Sequence, residues 1–346
     1  MSGKEIQAWS DPAMFTAQEI DENTGPTVTL MNCTKDPLGE IARVAMTYEG
    51  KFPASNAEIT DEQRRYYFGE VRKNVLEAPL EFVTFSFLFT GVTRSFTHQL
   101  VRQRTAAFAQ ESMRFAVKDP MPTALPPSLI GTVHWEIWRA KCASELFPAK
   151  VGTILPTHGA EQHLIDKHAQ QTASKEQLWR REWDNAIEEI GASYNALISA
   201  GMPAEDARGL APHATLTQVN YHTSLRHLKD HAGLRLCSQA QAEWKAVWVG
   251  ILKALRDCGK GTSTHWQYNE IADLFKPVCY QKGSCQFMAD GDRYCQIRET
   301  VQGYAELGIP SRDWHIDLQA MYDNPDAAKP PRVGGDWAEG GQGPKA

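Results

Sequence analysis

Residues 82–89, which read FVTFSFLF, restrict the fold more than any other stretch of the sequence. Aromatic and β-branched side chains recur here at every second position, a period of two that is typical of a β-strand with one buried face. The bulky side chains that would share this face are Val83, Phe85, Phe87 and Phe89. Gly91 follows and is expected to end the strand. The aromatic face then needs other elements of the chain to cover it.

Periodicities of three and four residues predict that most of the remaining elements are helices. Thr60 and Gln63 fit a capping box at the start of a helix over 60–76. A long helix is predicted over 175–200, with a buried face formed by Trp183, Ile187, Ile190, Tyr194 and Leu197. Shorter helices are predicted over 93–101, 203–210, 222–234, 239–256, 268–276 and 292–307, and a short strand over 28–31.

Composition limits the class of protein. The chain has 346 residues, of which 42% are hydrophobic and 23% charged, as in globular proteins with one large or two modest domains. It has no run of 18 uncharged apolar residues, and its N-terminus lacks the apolar region of a secretory signal. The seven scattered cysteines fit a reducing, cytoplasmic setting. The net charge of −6 argues against broad binding to nucleic acid.

Within this acidic chain, residues 101–115 (VRQRTAAFAQESMRF) carry three arginines and a single acid. Arg102, Arg104 and Arg114 can each bind a phosphate or carboxylate through two parallel hydrogen bonds, and their charge does not titrate at working pH. The stretch therefore suits a small basic pocket for an anionic ligand. Spacing alone also permits a solvated helix face whose arginines pair with acids elsewhere.

Two clusters have the residue types of metal sites but not the spacing. Three histidines lie close together without a telling third ligand, and surface histidines are favoured: His222, His227 and His231. Three cysteines near the C-terminus could hold zinc together with a histidine: Cys279, Cys285 and Cys295. They contain no C-x₂-C pair, so ordinary thiols are favoured over zinc. No metal is therefore expected.

Several common nucleotide and hydrolase motifs are absent from the sequence. Residues 258–264 (CGKGTST) lack the first glycine of a phosphate-binding P-loop, and Gly261 stands where Ser or Thr should follow the lysine. No G-x-G-x-x-G follows a strand, which gives no support to a Rossmann site. No G-x-S-x-G is present, which gives none to a hydrolase of that class.

Four segments, in the same order as in a known family, carry a resemblance. R-Q-R at 102–104, followed by Ser112, Arg114 and Phe115, resembles the R-H-R-x₇-S motif of flavin-dependent thymidylate synthases. Leu80-Glu81, a strand and then TGVTRSFTHQLVR at 90–102 look like the lead-in to that motif. The family's later motifs are similar to YNALISAGMPAEDARGLAP at 194–212 and SLRHLKDHAGLRLCSQAQAEW at 224–244. The resemblance covers residues 75–255.

The resemblance implies an α+β fold with a central antiparallel or mixed sheet flanked by long helices. It implies a methyltransferase that makes dTMP from dUMP, with methylenetetrahydrofolate as carbon donor, FAD as redox carrier and NADPH as reductant. No cysteine attacks the uracil in this family, because the reduced flavin delivers a hydride. The implied assembly is a cytoplasmic homotetramer whose active sites combine residues from several subunits. Its partners are small molecules, with no nucleic acid and no membrane.

The resemblance also assigns roles to individual residues. Arg235 matches the arginine that lies against the uracil carbonyl edge, where a cation stabilises the negative charge that develops as C5 becomes nucleophilic. The residues expected to bind dUMP are Gln99, Arg102, Ser112, Met113, Arg114, Arg208 and Arg235. Those expected to contact FAD are Arg102, Gln103, Arg104, Gln110, Ser224, Arg226 and Asp230. A loop of small residues after Arg104 is expected to turn Ser112 and Arg114 toward the ligand.

The departures from the family pattern fall on flavin and folate positions. Gln103 replaces the His of R-H-R, Ser224 replaces an Asn, and Asp230 replaces an Asn or His. Every phosphate position that can be matched is kept. Two alternatives therefore remain: a sibling enzyme that adds another one-carbon group, such as hydroxymethyl, and a non-catalytic nucleotide-binding homologue. Such divergence is expected of a phage or otherwise unusual branch, for which the setting would be the host cytoplasm.

Three regions are expected along the chain. A catalytic domain covers 1–255, and a helical extension with the cysteine cluster covers 256–323. The tail over 324–346 is rich in Pro and Gly and is predicted to be disordered.

Overall fold

One antiparallel sheet organises the molecule. The structure is a computed structural model that describes residues 4–7, 26–73, 76–118, 120–126, 129, 159–237 and 240–282. Five strands follow one another in the order β1-β2-β3-β5-β4, and every neighbouring pair is antiparallel. The strands are β1 (Lys4–Gln7), β2 (Thr27–Cys33), β3 (Thr84–Thr93), β4 (Ala106–Gln110) and β5 (Leu216–Ser224). With its helices, this sheet confirms the predicted α+β fold.

Nine helices and three 3₁₀ turns are found in the described ranges. The helices are α1 (Pro37–Thr47), α2 (Asp61–Lys73), α3 (Arg94–Leu100), α4 (Gly159–Ser199), α5 (Ala204–Ala207), α6 (Leu225–Arg235), α7 (Ala242–Asp257), α8 (His265–Ala272) and α9 (Val278–Lys282). The 3₁₀ turns are Asn56–Glu58, Ala78–Phe82 and Arg208–Leu210. The predicted helix over 292–307, the predicted disordered tail, Cys285 and Cys295 lie outside the described residues.

β3 is the strand that the alternating stretch predicts, and Phe85, Phe87 and Phe89 are all fully buried. The expectation that Gly91 ends it is wrong. Gly91 has a φ of 65° and lies in a β-bulge where the pairing with β5 shifts register, after which the strand continues to Thr93. A glycine adopts this left-handed conformation without steric cost, so the strand bends here without stopping.

Two segments differ from their predicted conformations. The chain forms β5 up to Ser224 and starts α6 only at Leu225, whereas a helix was predicted from 222. The expected loop after Arg104 contains an edge strand, β4, whose Phe108 lies opposite Tyr221 of β5. Both strands are rich in small or polar residues, so their alternation in hydrophobicity is weak and the pairing partner decides the conformation.

The long helix α4 begins at Gly159, well before the predicted start at 175. Tyr194 is completely buried, but the other members of its predicted buried face are only half-buried: Trp183, Ile187, Ile190 and Leu197. That prediction is therefore correct for Tyr194 alone. The helix is 41 residues long, about 60 Å, and it packs against α5 and the Arg208–Leu210 turn.

The hydrophobic core lies between the sheet and the helices that cover one of its faces. Trp244 and Trp248 of α7 are among its largest fully buried side chains, and the ring of Trp244 lies 4.1 Å from that of Phe96 in α3. Truncating such a buried aromatic to Ala costs about 3–5 kcal/mol of stability. This packing fixes the relative positions of α3, α6 and α7, the three helices that carry the site described below. Within the described ranges, no helix is both long and apolar enough to cross a membrane.

Candidate functional site

Three helix ends meet at one side of the sheet. Thr93 ends β3 and caps α3, its Oγ1 accepting a hydrogen bond from the Phe96 N–H at 3.0 Å. Gln99 lies near the end of α3, just before the arginine stretch, and Arg235 is the last residue of α6. α7 begins at Ala242, so Glu243 and Trp244 lie in its first turn. Residues far apart in sequence thus meet at a single location.

Arg235 is held by two neighbours. Its Nη1 donates to Gln99 Oε1 at 2.8 Å, and its guanidinium carbon lies 4.8 Å from the centre of the Trp244 ring. Trp244 Nε1 donates to the same Gln99 oxygen at 2.9 Å. Burial lowers the pKa of Arg235, and its Nε is buried with no hydrogen-bond partner in the described part of the chain. A buried donor without a partner is costly, so this edge of the guanidinium suits an acceptor on a ligand.

A chain of side-chain amides runs from Gln99 to a buried carboxylate. Gln99 Nε2 donates to Gln241 Oε1 at 2.6 Å, and Gln241 Nε2 donates to Glu243 Oε2 at 3.2 Å. Glu243 ends the chain by accepting from the N–H of Thr93 at 2.7 Å and from its hydroxyl at 2.6 Å. An ionised carboxylate only accepts hydrogen bonds, so it orients Gln241 and then Gln99. The oxygen of Gln99 therefore faces Arg235.

Glu243 titrates close to neutral pH. Burial raises the pKa of its carboxyl to about 7, although the hydrogen bonds from Thr93 act in the opposite direction. Protonation would turn one acceptor oxygen into a donor and weaken the orientation of the amides. The residue therefore couples the geometry around Arg235 to pH.

His231 contradicts the expectation of surface histidines. It is buried on α6, and its ring lies 4.8 Å from that of Trp244 and 6.3 Å from that of Trp248. Burial, and then the charge of Arg235, lower its pKa to about 3. The imidazole is therefore neutral at physiological pH and adds no positive charge beside Arg235. His222 is exposed on β5, and its Nδ1 lies 2.8 Å from Ser86 Oγ.

The arginines of the R-Q-R motif point outward. Arg102 and Arg104 are both exposed, and neither side chain has a hydrogen-bond or ion-pair partner among the residues that the structure describes. Two unpaired guanidinium groups one residue apart form a donor surface for an anionic or carbonyl-rich ligand. Both side chains are exposed, and their role in binding FAD stays a prediction from the motif.

Gln103, which lies between these two arginines, points inward. Its Oε1 accepts from the Tyr221 hydroxyl at 2.6 Å, and its Nε2 donates to the carbonyl of His227 at 3.3 Å. It therefore anchors the motif to β5 and α6 through one acceptor and one donor. A neutral histidine offers the same pair of functions, so the substitution preserves the hydrogen-bonding pattern.

The second half of the arginine stretch lies beside α5. Arg114 forms an exposed ion pair with Glu205, with Nη2 and Oε2 2.7 Å apart, and Arg208 Nε donates to the Glu205 carbonyl at 3.0 Å. Ser112 Oγ accepts from the N–H of Arg114 at 3.2 Å. Arg94 adds a third cation. Burial lowers its pKa, the charge of Glu111 raises it and the charge of Arg208 lowers it. Ser112, Arg114 and Arg208 are thus brought to one region, together with Arg94, to which the resemblance assigned no role.

Met113 and the remaining expected flavin ligands have structural contacts of their own. Met113 is 5% exposed, so its predicted contact with dUMP stays a prediction. Ser224 caps α6 and its Oγ lies 2.8 Å from His227 Nδ1, while Gln110 Nε2 donates to Thr97 Oγ1 at 3.0 Å. Arg226 is ion-paired with Glu81. Partial desolvation, and then the charge of Glu77, raise the pKa of Asp230. These contacts tie the candidate flavin positions to the sheet and to the Ala78–Phe82 turn.

The sequence interpretation missed Gln241, Glu243 and Trp244 as functional residues. All three lie in the segment AQAEW at 240–244, the end of the stretch 224–244 that resembles a family motif. A Gln and a Glu close in sequence to a predicted catalytic arginine could have been suspected from that stretch. The direction of their hydrogen bonds could not have been predicted from the sequence.

No metal centre is found in the described ranges, where no group of three His, Cys, Asp or Glu side chains could hold an ion. Cys279 of the suspected cluster is half-buried on α9. Its two suspected partners lie outside those ranges, so the zinc alternative stays a sequence interpretation.

Comparisons with known proteins identify the family of the chain. A family model described as "Thymidylate synthase complementing protein" matches residues 29–258. A flavin-dependent thymidylate synthase from Pyrococcus furiosus is 28% identical over 266 residues, which cover 75% of this chain and 88% of the relative. The enzyme of the same name from Geobacter sulfurreducens is 27% identical over 198 residues, which cover 54% of this chain and 66% of the relative.

A solved structure also matches. It is a UMP/dUMP methylase, PolB from Streptomyces cacaoi bound with 5-Br dUMP, with a TM-score of 0.49 and 17% identity over 72% of this chain and 96% of that one. The family model covers well over half of the chain and includes every residue of the candidate site. The chain therefore belongs to the thymidylate synthase complementing protein family, as its resemblance to flavin-dependent thymidylate synthases predicted.

Proposed function

We propose that this protein is a flavin-dependent thymidylate synthase, which methylates dUMP reductively to dTMP. Methylenetetrahydrofolate supplies the carbon and NADPH supplies the electrons. The observation that carries the proposal is Arg235, a half-buried arginine fixed by Gln99 and Trp244 whose Nε lacks a partner among the described residues. A cation held in place and partly desolvated is what electrostatic stabilisation of a developing anion requires.

The phosphate of dUMP fits the region of Ser112, Arg114 and Arg208. A phosphate monoester carries nearly two negative charges and accepts paired hydrogen bonds from guanidinium groups. In the free protein Arg114 pairs with Glu205, but such an exposed pair contributes at most about 1 kcal/mol. A dianionic phosphate therefore competes successfully with Glu205 for Arg114.

Arg235 acts on the uracil ring in this proposal. Its guanidinium meets the carbonyl edge of the base and stabilises the negative charge that spreads onto that carbonyl as C5 becomes nucleophilic. Gln99 contributes chiefly by holding Arg235, because its oxygen already accepts from Arg235 and Trp244. The uncharged imidazole of His231 leaves Arg235 as the positive charge on the ring side.

The residues present fit a flavin dinucleotide. The exposed Arg102 and Arg104 have no partners in the described ranges and are donors of the kind that a pyrophosphate accepts from. Arg226, Ser224, Gln110 and Asp230 complete the expected set, with Gln103 anchoring the motif beneath. A bound flavin supplies hydride transfer, and the protein's own residues bind, orient and shield the reacting groups. We further propose a homotetramer with sites shared between subunits, in which Arg102 also touches the nucleotide.

Three measurements on the purified full-length chain test this function. The visible absorption spectrum reports bound flavin, and tritium release from 5-³H-dUMP with NADPH and methylenetetrahydrofolate reports the reaction. The mass of the product separates a methyl from a hydroxymethyl group. A yellow protein that releases tritium and forms dTMP is expected. A protein that cannot be loaded with FAD, or that binds dUMP without turnover, would overturn the proposal.

A further inference from the structure

Two thiols that are distant in sequence meet outside the arginine site. Cys33 is the last residue of β2, and Cys258 directly follows the last residue of α7. Their sulfur atoms are 3.2 Å apart, although 225 positions separate them in the chain. Both side chains are half-buried thiols, and neither is in a disulfide. The site therefore has two sulfur atoms in contact and some access for a small reagent.

The surrounding structure keeps the two sulfur atoms close. β2 pairs with the central strand β3, where Cys33 lies opposite Phe85. The Tyr268 hydroxyl of α8 donates to the carbonyl of Thr34 at 2.8 Å and accepts from the Cys33 thiol at 3.7 Å. His265 Nδ1 lies 3.0 Å from the carbonyl of Cys258. Strand and helix end are thus tied to α8, so the thiols need little backbone movement to react with each other.

The contact also makes one of the thiols more acidic. The hydrogen bond from Cys258 lowers the pKa of Cys33 and outweighs the effect of burial, with a smaller contribution in the same direction from Tyr268. A thiolate is the nucleophile in thiol–disulfide exchange. Cys33 is assigned as the attacking thiol and Cys258 as the resolving one.

We propose that Cys33 and Cys258 form a thiol–disulfide exchange site that reacts with low-molecular-weight disulfides. The Cys33 thiolate attacks one sulfur of the small disulfide, which forms a mixed disulfide and releases one small thiolate. Cys258 then loses its proton to solvent and attacks the Cys33 sulfur, which releases the second small thiolate. The protein loses two electrons to the small disulfide and gains a bond between the ends of β2 and α7.

The bond has a defined effect on the molecule. It closes a very long loop of chain, which lowers the entropy of the unfolded state and stabilises the fold. It lies at the opposite end of α7 from Glu243 and Trp244, and α7 has 16 residues, a length of about 24 Å. Oxidation therefore raises the stability of the fold and leaves the geometry around Arg235 unchanged.

The test exposes the purified full-length chain to glutathione disulfide. Intact mass should show the loss of two hydrogen atoms without a retained glutathionyl group, and peptide mapping should place the link between Cys33 and Cys258. The oxidised protein should melt about 5–10 °C higher, a gain that dithiothreitol reverses. A link between other cysteines, or no change in mass, would overturn the proposal.

Single variants separate the two roles. Cys258→Ser should stop at the mixed disulfide and retain one glutathionyl group on Cys33, whereas Cys33→Ser should show neither the group nor the link. Cys237→Ser is the matched control and should behave as the parent protein does. If a variant fails to fold, alkylation of the parent protein tests the assignment of the attacking thiol. Cys33 should react before Cys237 and Cys279. Preferential labelling of Cys237 or Cys279 would contradict the assignment.

Discussion

Arg235 and the arginines of residues 102–114 belong to one candidate site but are held in opposite ways. Arg235 is half-buried and fixed by Gln99 and Trp244, with a chain of amides behind it. Arg102 and Arg104 are exposed and lack hydrogen-bond partners in the described part of the chain, and Arg114 is held by an exposed ion pair. The fold orients Arg235 before a ligand binds, whereas we expect the side chains of the exposed arginines to become ordered when a ligand binds.

This difference separates two physical tasks. A group that stabilises a transition state is most effective when it is already oriented and partly removed from water, because no reorganisation is then needed during the reaction. A group that captures a phosphate benefits from exposure, since its long-range attraction acts before contact. We therefore expect changes near Arg235 to affect turnover and changes in the exposed stretch to affect binding.

The largest effect is expected from Arg235→Ala. Turnover should fall by about 10²-fold or more, the scale of losing one key electrostatic donor, while the Kd for dUMP changes by less than about tenfold. Tritium release measures the first quantity and calorimetry the second. Arg256→Ala, which removes a surface arginine 3.9 Å from Asp273, should leave both unchanged. An unaltered rate in the Arg235 variant would refute its catalytic role.

Glu243→Gln tests the amide chain directly. A glutamine offers one acceptor oxygen and one donor nitrogen in place of two acceptors, so Gln241 and Gln99 lose the constraint on their orientation. Turnover should fall by about tenfold, the effect of a weakened hydrogen bond to Arg235, with little change in dUMP binding. Glu49→Gln, at an exposed glutamate paired with Lys51, controls for the lost charge. An equal loss in binding and turnover would mean a general structural role.

The raised pKa of Glu243 makes the stability of the protein depend on pH. Its carboxyl has a pKa of about 7 in the folded state and 4.5 ordinarily, so between these values the folded protein holds a proton that the unfolded chain has lost. The free energy of unfolding therefore decreases as pH rises through this window, by on the order of 3 kcal/mol, and levels off above it. Melting curves should show a smaller decrease for Glu243→Gln. Parallel curves for the two proteins would disprove the shifted pKa.

A smaller effect on binding is expected from Arg114→Ala. The Kd for dUMP should rise by about tenfold or less, since one partly solvated charged hydrogen bond is lost, and turnover at saturation should change little. Glu205→Gln is the matched variant, because it removes the acid that competes with the phosphate and should tighten binding slightly. If Glu205→Gln weakens binding as much as Arg114→Ala does, the ion pair positions Arg114 for the ligand.

The smallest effect is expected from Gln103→His. A neutral imidazole can accept from Tyr221 and donate to the His227 carbonyl, so the flavin content should stay within about twofold. Gln103→Leu leaves the buried Tyr221 hydroxyl without its acceptor and should cost about 1–3 kcal/mol. Flavin absorbance and thermal melting measure the two effects. A large loss of flavin in Gln103→His alone would show that the amide itself contacts the cofactor.

Local pattern predicted part of this architecture well. The alternation around Phe85 and Phe87 identified the central strand, and the helix predicted over 93–101 carries Gln99 as α3. The boundary at Ser224 was missed, because β5 has a weak apolar alternation and becomes a strand through pairing with β3 and β4. Burial of His231 was missed for a related reason, since no local signal shows which face of α6 meets Trp244.

The sequence by itself determined the family, the strand with the aromatic face and the arginines that can meet anions. It did so because spacing and residue type are local properties. Tertiary structure alone decided that Gln241 and Glu243 orient the partner of Arg235, and that Cys33 touches Cys258. Those contacts join residues on different elements, and their hydrogen-bond directions and pKa shifts depend on burial that arises only when the helices pack on the sheet.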